Sequence, residues 1–136
     1  MMDISTLTPR NAFVNLEHPG TGEELGLVFE MRSRHSDEVQ KVTRDYDARN
    51  QPKRGRGKEP SLLEKRAHSR DLILASVVGW KWTDPKLVFD GEQPAYTYDT
   101  LKKWLKDYPW MVEFFSRAFL EDENFFENSG NSSLTP

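Results

Sequence analysis

Residues 72–80, Leu-Ile-Leu-Ala-Ser-Val-Val-Gly-Trp, are apolar or small at every position. A surface helix carries one apolar stripe and a half-buried strand alternates, so a segment apolar all round has to be covered on most of its sides. It is far too short to cross a bilayer, which takes roughly 20 residues. The chain must therefore supply the cover itself. Upstream, Ser61 and Glu64 stand in capping-box spacing, where each side chain can satisfy the other's free backbone N–H. Leu63, Ala67, Leu74 and Val78 then share a stripe that Ile73 and Val77 widen, and Gly79 stands where glycine commonly ends a helix. The pattern predicts a central helix over 62–78. The whole chain is 136 residues, one domain's worth, so the remaining elements must wrap this segment.

Those elements can be read from turn chemistry and periodicity. Residues 12–17 alternate, turn formers follow at Pro19, Gly20 and Gly22, and 25–32 alternates again with Leu27 and Phe29 on one face; together they predict a β-hairpin over about 12–32. Ser36 caps a predicted helix over 37–49, with Asp37 and Glu38 at its positive end. Asn50-Gln-Pro-Lys-Arg-Gly-Arg-Gly-Lys-Glu-Pro60 reads as a mobile basic loop, because two prolines and two glycines oppose regular structure. Phe89-Asp90-Gly91 reads as a tight turn. Thr97 caps a helix over 98–107 with Leu101, Trp104 and Leu105 on its stripe. Pro109 opens a last helix over 109–123, whose core stripe is Met111, Phe114, Phe115 and Ala118. The expected fold is α+β and mainly helical, with about four helices and a small N-terminal hairpin. It forms a single domain over 1–126, followed by a disordered polar tail over 127–136.

Composition narrows the function. The chain has no cysteine, which excludes a disulfide scaffold, thiolate-held metal and a thiol nucleophile. Mean hydropathy is −0.76, yet 12% of the residues are aromatic, enough to build a core and to argue against wholesale disorder. The first ten residues, MMDISTLTPR, lack the cationic start and apolar stretch of a secretory signal. A cytoplasmic protein without a membrane segment is expected. The net charge of −3 is unevenly laid out: residues 1–40 carry −4, 41–70 carry +6 and 71–136 carry −5. A basic middle between acidic ends suits a protein partner or self-association better than a global nucleic-acid footprint.

Each candidate catalytic or cofactor motif has a simpler reading. His18, His35 and His68 fall in three different elements without metal spacing, so no metal is expected. Gly20-Thr-Gly22 with Gly26 has GxGxxxG spacing and no long helix after it, so a hairpin turn is preferred to a dinucleotide loop. Gly57-Lys58 lacks the other residues of a P-loop, and Ser61, Ser69 and Ser76 have no nucleophile elbow around them. No enzyme and no cofactor is expected. Two surfaces remain as candidates for protein contact. One is the basic loop, through Lys53, Arg54, Arg56 and Lys58, whose Arg-Gly-Arg core also has a weak likeness to minor-groove hooks. The other is the aromatic last third. Trp110 and Leu120 lie off the core stripe of the last helix, and Phe125 and Phe126 follow it. Surplus aromatics of this kind commonly anchor protein interfaces.

The order of these features carries a resemblance. Arg70-Asp71-Leu72 enters the apolar segment, which ends in Val78-Gly79-Trp80. Phe89-Asp90-Gly91 and the Pro94-to-Tyr96 piece follow, then Thr97-Tyr98, Tyr108-Pro109-Trp110 and Asn124-Phe125-Phe126. Over about residues 60–126 this resembles the tail assembly chaperones of long-tailed bacteriophages, most of all those of lambdoid siphophages. The resemblance implies a non-enzymatic protein of the infected cell's cytoplasm, absent from the finished virion. It implies binding to the helical tape measure protein, which stays soluble until tail tube subunits polymerise around it, with the tube (major tail) protein contacted through a frameshift-extended form. The alternative reading from another class is a small DNA-associated phage protein that uses the basic loop 53–58.

Overall fold

The computed structural model describes residues 3–54 and 62–126; of Thr6, residues 50–54 and residues 62–64 it describes the backbone only. Three strands, β1 (Ala12–Glu17), β2 (Glu24–Met31) and β3 (Val77–Trp82), form an antiparallel sheet in that order. Four helices accompany it: α1 (Asp37–Arg54), α2 (Leu62–Ser76), α3 (Tyr98–Asp107) and α4 (Pro109–Leu120). The fold is α+β and mainly helical, and its N-terminal hairpin pairs where the turn residues placed it, around Gly22 with φ +78°.

The sheet buries one face. Val14 and Trp80 flank Phe29 in register, and Leu27 faces Trp82. Ala12, Leu16, Leu27, Phe29, Met31 and Val77 are buried beneath α2 and α4. The opposite face, with Phe13, Glu30, Val28 and Lys81 in register across the strands, is uncovered among the described residues, and a Cβ built on Gly79 there would meet no atom within 4 Å.

The central segment corrects the sequence reading. The helix stops at Ser76, and Val77 starts a strand with no loop between them. Arg32, at the end of β2, explains this. Its guanidinium Nη1 donates to the Ala75 carbonyl at 3.0 Å, capping the helix end, and its backbone N–H donates to the Ser76 carbonyl at 2.7 Å. Ser76, wholly buried, returns a hydroxyl bond to the Arg32 carbonyl at 2.7 Å. Gly79 is therefore no helix terminator but a strand residue opposite Glu30. The apolar run is buried as its composition demanded, first as helix and then as strand.

Local signals hold elsewhere. Thr97 Oγ1 accepts from the Thr100 N–H at 3.1 Å and caps α3. Asp90 and Gly91 take φ of 52° and 82° and close a two-residue turn, with Phe89 and Glu92 exchanging backbone bonds, the geometry that favours Asp-Gly. The last helix ends three residues early. Asn124 Nδ2 donates to the Ala118 carbonyl at 3.4 Å, and a 3₁₀ turn over Asp122–Asn124 redirects the chain. Gly26, with φ +103°, lies so close to the loop after β3 that a Cβ would sit 2.4 Å from the Asp84 Cβ, so close chain packing requires a glycine there. The first helix also runs longer than expected, to Arg54 through Pro52. Pro52 has no N–H to give the carbonyl four residues back, so its place in this last turn costs a ladder bond. Lys53 and Arg54 are therefore helical and not in a loop. Arg56, Lys58, the Ser61 end of the capping box and the polar tail lie outside the described residues.

Helices α1 and α2 form an antiparallel pair with thin apolar contact, in which only Val39 of the described α1 side chains is buried. Farther along, His68 stacks flat on Tyr46, ring centroids 3.8 Å apart and 14° from parallel. His68 Nδ1 is buried and makes no hydrogen bond among the described residues. Burial pushes the His68 pKa below its ordinary value, although Asp71 and Asp47 favour the charged ring. A folded pKa below the unfolded one, about 6.5, means that the contact is at full strength above that pH and weakens as the pH falls through it towards the folded value. Amide exchange in the second half of α1, corrected for the intrinsic rate, should therefore accelerate between about pH 7.5 and about pH 5.5 while α3 and α4 stay protected. His68→Phe keeps the stack and should remove the effect; pH-independent exchange in the unaltered chain would contradict it.

Candidate interaction surface

The aromatic last third is mostly interior. Trp104 of α3 is sandwiched between Trp80 of β3, stacked at 4.5 Å, and Phe89, stacked at 4.3 Å. Trp82, Tyr96 and Tyr108 pack edge-on around the sandwich. The Pro94 carbonyl accepts from the indole N–H of both Trp80 and Trp82, at 2.8 and 2.9 Å. Phe114 and Phe115 of α4 continue the cluster onto Phe29, with Phe115 only 4.6 Å from it. β3 and the loop behind it thus give α3 and α4 a second layer to pack on.

That layer redistributes the residues proposed for partner contact. Phe125 is 0% exposed and belongs to the core, a correction to its surface reading. The 3₁₀ turn swings it inward, and its carbonyl accepts from the Arg10 N–H at 2.7 Å. Phe126 is half-buried, its ring 5.9 Å from that of His35. Trp110 is half-buried and packs against the core edge, whereas Leu120 stays 61% exposed. Sequence reasoning missed Phe13, which is 70% exposed on β1. Strand alternation could have found it, since its neighbours Ala12 and Val14 point to the core.

Trp110 and Phe13 border neighbouring depressions between α4 and the hairpin. Beside the hairpin turn, Trp110, Phe114 and Arg117 face Glu17, His18 and Pro19 around about 190 Å³. Farther along, Phe114, Arg117 and Ala118 face Phe13, Val14 and Glu17 around about 320 Å³. Positions 110, 114, 117, 118 and 121 recur at helical spacing, so one side of α4 forms the wall throughout. The other wall is β1, which among the described residues pairs only with β2. A partly apolar helix face beside a sheet edge is a surface on which a partner segment can dock.

The three histidines have separate local roles. His18 Nδ1 accepts from the Gly20 and Thr21 N–H groups, at 2.9 and 3.1 Å, inside the hairpin turn. His35 lies 3.2 Å from Asp122, which also takes a two-point contact from Arg34 at 2.9 and 2.8 Å. Those contacts, Arg34 foremost and His35 next, hold the Asp122 carboxyl well below the usual carboxylate range. They tie the C-terminal turn to the start of α1. Among the described residues no three His, Asp or Glu side chains are grouped to hold a metal, and no helix is long and apolar enough to cross a membrane.

Fold and surface together define a small α+β protein with depressions between a helix and a sheet edge, beside a larger one of about 680 Å³ between α1 and α2. No family model, no curated protein and no solved structure matches the chain.

Proposed function

We propose that this chain is a non-enzymatic tail assembly chaperone of the long-tailed phage type, which holds a segment of the helical tape measure protein against the groove between α4 and β1. The observation that carries the reading is the groove itself. Phe114 and Ala118 lie across from Val14 and the β1 edge at Phe13 in one depression, and Trp110 lies across from Glu17 and His18 in the next, with charged side chains in both. Aromatic side chains set in a polar surface are common anchors of protein-binding sites. The sequence resemblance over 60–126 supplies the identity of the partner. On this reading the protein works in the host cytoplasm, hands the tape measure to polymerising tube subunits and is absent from the virion.

Co-purification with the tape measure protein tests it. Trp110→Ala and Phe13→Ala should each change folding stability by about 1 kcal/mol or less, because neither side chain is fully buried. Loss of an anchor at the centre of an interface costs about 2 kcal/mol or more, so the Trp110 variant should bind about thirtyfold more weakly. Unchanged capture by both folded variants would place the partner elsewhere.

A further inference from the structure

At the other end of α4, a cavity of about 460 Å³ opens between α2, α3 and the first turn of α4. Arg66 and Arg70 enter it from α2, one helical turn apart and hence on one face, and Lys106 enters from α3. Leu105 and Val112 give it an apolar lining, and Glu113 is its one acidic side chain. Lys106 sits in the last turn of α3, where a cation complements the helix dipole. Arg66 and Arg70 stand in the body of α2 and have no such role. None of the three forms an ion pair among the described residues, whose pairs are Arg32–Glu38, Arg34–Asp122 and His35–Asp122.

The complementary feature lies on the same chain. Glu17 and Glu24 are direct cross-strand partners at the turn end of the hairpin, both exposed. Like charges set opposite each other weaken a strand pair. Neither has an ion-pair partner among the described residues. Both border the 320 Å³ depression, where Glu121 adds a third acid and Arg117 is the one cation.

We propose that copies of this chain associate head to tail, the Arg66–Arg70–Lys106 cavity of one copy receiving the Glu17–Glu24 pair of the next. The two surfaces differ, so the contact is heterologous and leaves an unused surface of each sign at the ends; copies add into a ring or an open row. The apolar lining of the cavity lowers the local dielectric and strengthens the attraction. A nucleic-acid backbone fits this site less well, because Glu113 and the acidic groove beyond it repel phosphate. The Glu17–Glu24 pair borders the depression assigned above to the tape measure, so a next copy and a tape measure segment would compete there; the proposal itself rests on charge and geometry, and its test uses no tape measure protein.

Sedimentation velocity on the purified chain reads it directly. The unaltered protein should self-associate at about 100 µM in about 50 mM salt, and at least about tenfold more weakly in about 500 mM salt. R66E/R70E and E17K/E24K should each remain monomeric while folded. Mixed in equal amounts they should associate again, because each supplies the sign that the other lacks. The single reversals Arg70→Glu and Glu24→Lys give the same comparison if a double variant folds poorly. A wild-type chain that stays monomeric in low salt, association that ignores salt, or a mixture that stays monomeric would overturn the proposal. Any of these would leave the tape measure experiment to stand or fall by itself.

Discussion

Phe125→Ala should lower folding stability by about 3–5 kcal/mol, the usual cost of emptying a buried phenylalanine site. In a chain of this length that is a fall in melting temperature of roughly 10–20 °C. The residue is completely buried, and its carbonyl holds the Arg10 N–H at 2.7 Å. The cavity left behind would loosen two segments together, the C-terminal 3₁₀ turn and the arm before β1. Phe126→Ala is the control. Its ring is half-buried beside His35, and its loss should cost about 1 kcal/mol. Urea titrations with an unchanged m-value would report both costs as stability alone. Two small and equal effects would mean that the turn does not seat Phe125 in the core.

That contrast shows where the sequence was legible. Helix stripes and caps were readable because their information is local. Thr97 reaches Thr100, three residues on, and the stripe of Leu101, Trp104 and Leu105 repeats within three turns. The hairpin was readable because its turn residues lie between its strands. The third strand was not, because nothing local separates Val77 from the helix before it. The switch is made by Arg32 and Ser76, which meet across 44 residues of sequence. One missed strand then propagated. Without β3 the stack of Trp104 on Trp80 could not be seen, while Phe125 was assigned to a partner because the 3₁₀ turn that swings it inward, to a contact with Arg10 over a hundred residues away, has no local signal. The basic segment reads as a loop that a helix can partly enter, and α1 does enter it as far as Arg54, past a proline that costs it a ladder bond. At the candidate surface, helical phase marks Trp110 and Leu120, whereas Phe13 carries no signal beyond the two-residue alternation of its strand. The cavity of Arg66, Arg70 and Lys106 is a tertiary product of three helices and has no sequence signature beyond the net charge of its region.

Trp104→Ala should be at least as damaging as Phe125→Ala. Trp104 is only 4% exposed, with one indole face on Trp80 and the other on Phe89. Truncating a buried tryptophan costs about 3–5 kcal/mol, and each well-packed aromatic pair adds about 0.5–1.5 kcal/mol beyond its buried area. The upper end, about 5 kcal/mol, is a large share of the roughly 5–15 kcal/mol that holds a domain folded. The variant should therefore melt far below the parent protein, or fail to accumulate. Trp104→Phe keeps one ring between the same neighbours and should lose less than half as much. The stacked pair of Trp80 and Trp104 also gives a spectroscopic handle, since near-ultraviolet circular dichroism from the coupled indoles should vanish in both variants, including the one that stays folded. The expected order of damage is Trp104→Ala first, then Trp104→Phe, with Phe13→Ala nearly silent, because Phe13 is the one of these rings that faces solvent. If Trp104→Ala instead costs less than about 1 kcal/mol, the tryptophan sandwich is not the joint between β3 and α3. The layer that drew the last third of the chain inward would then need another explanation.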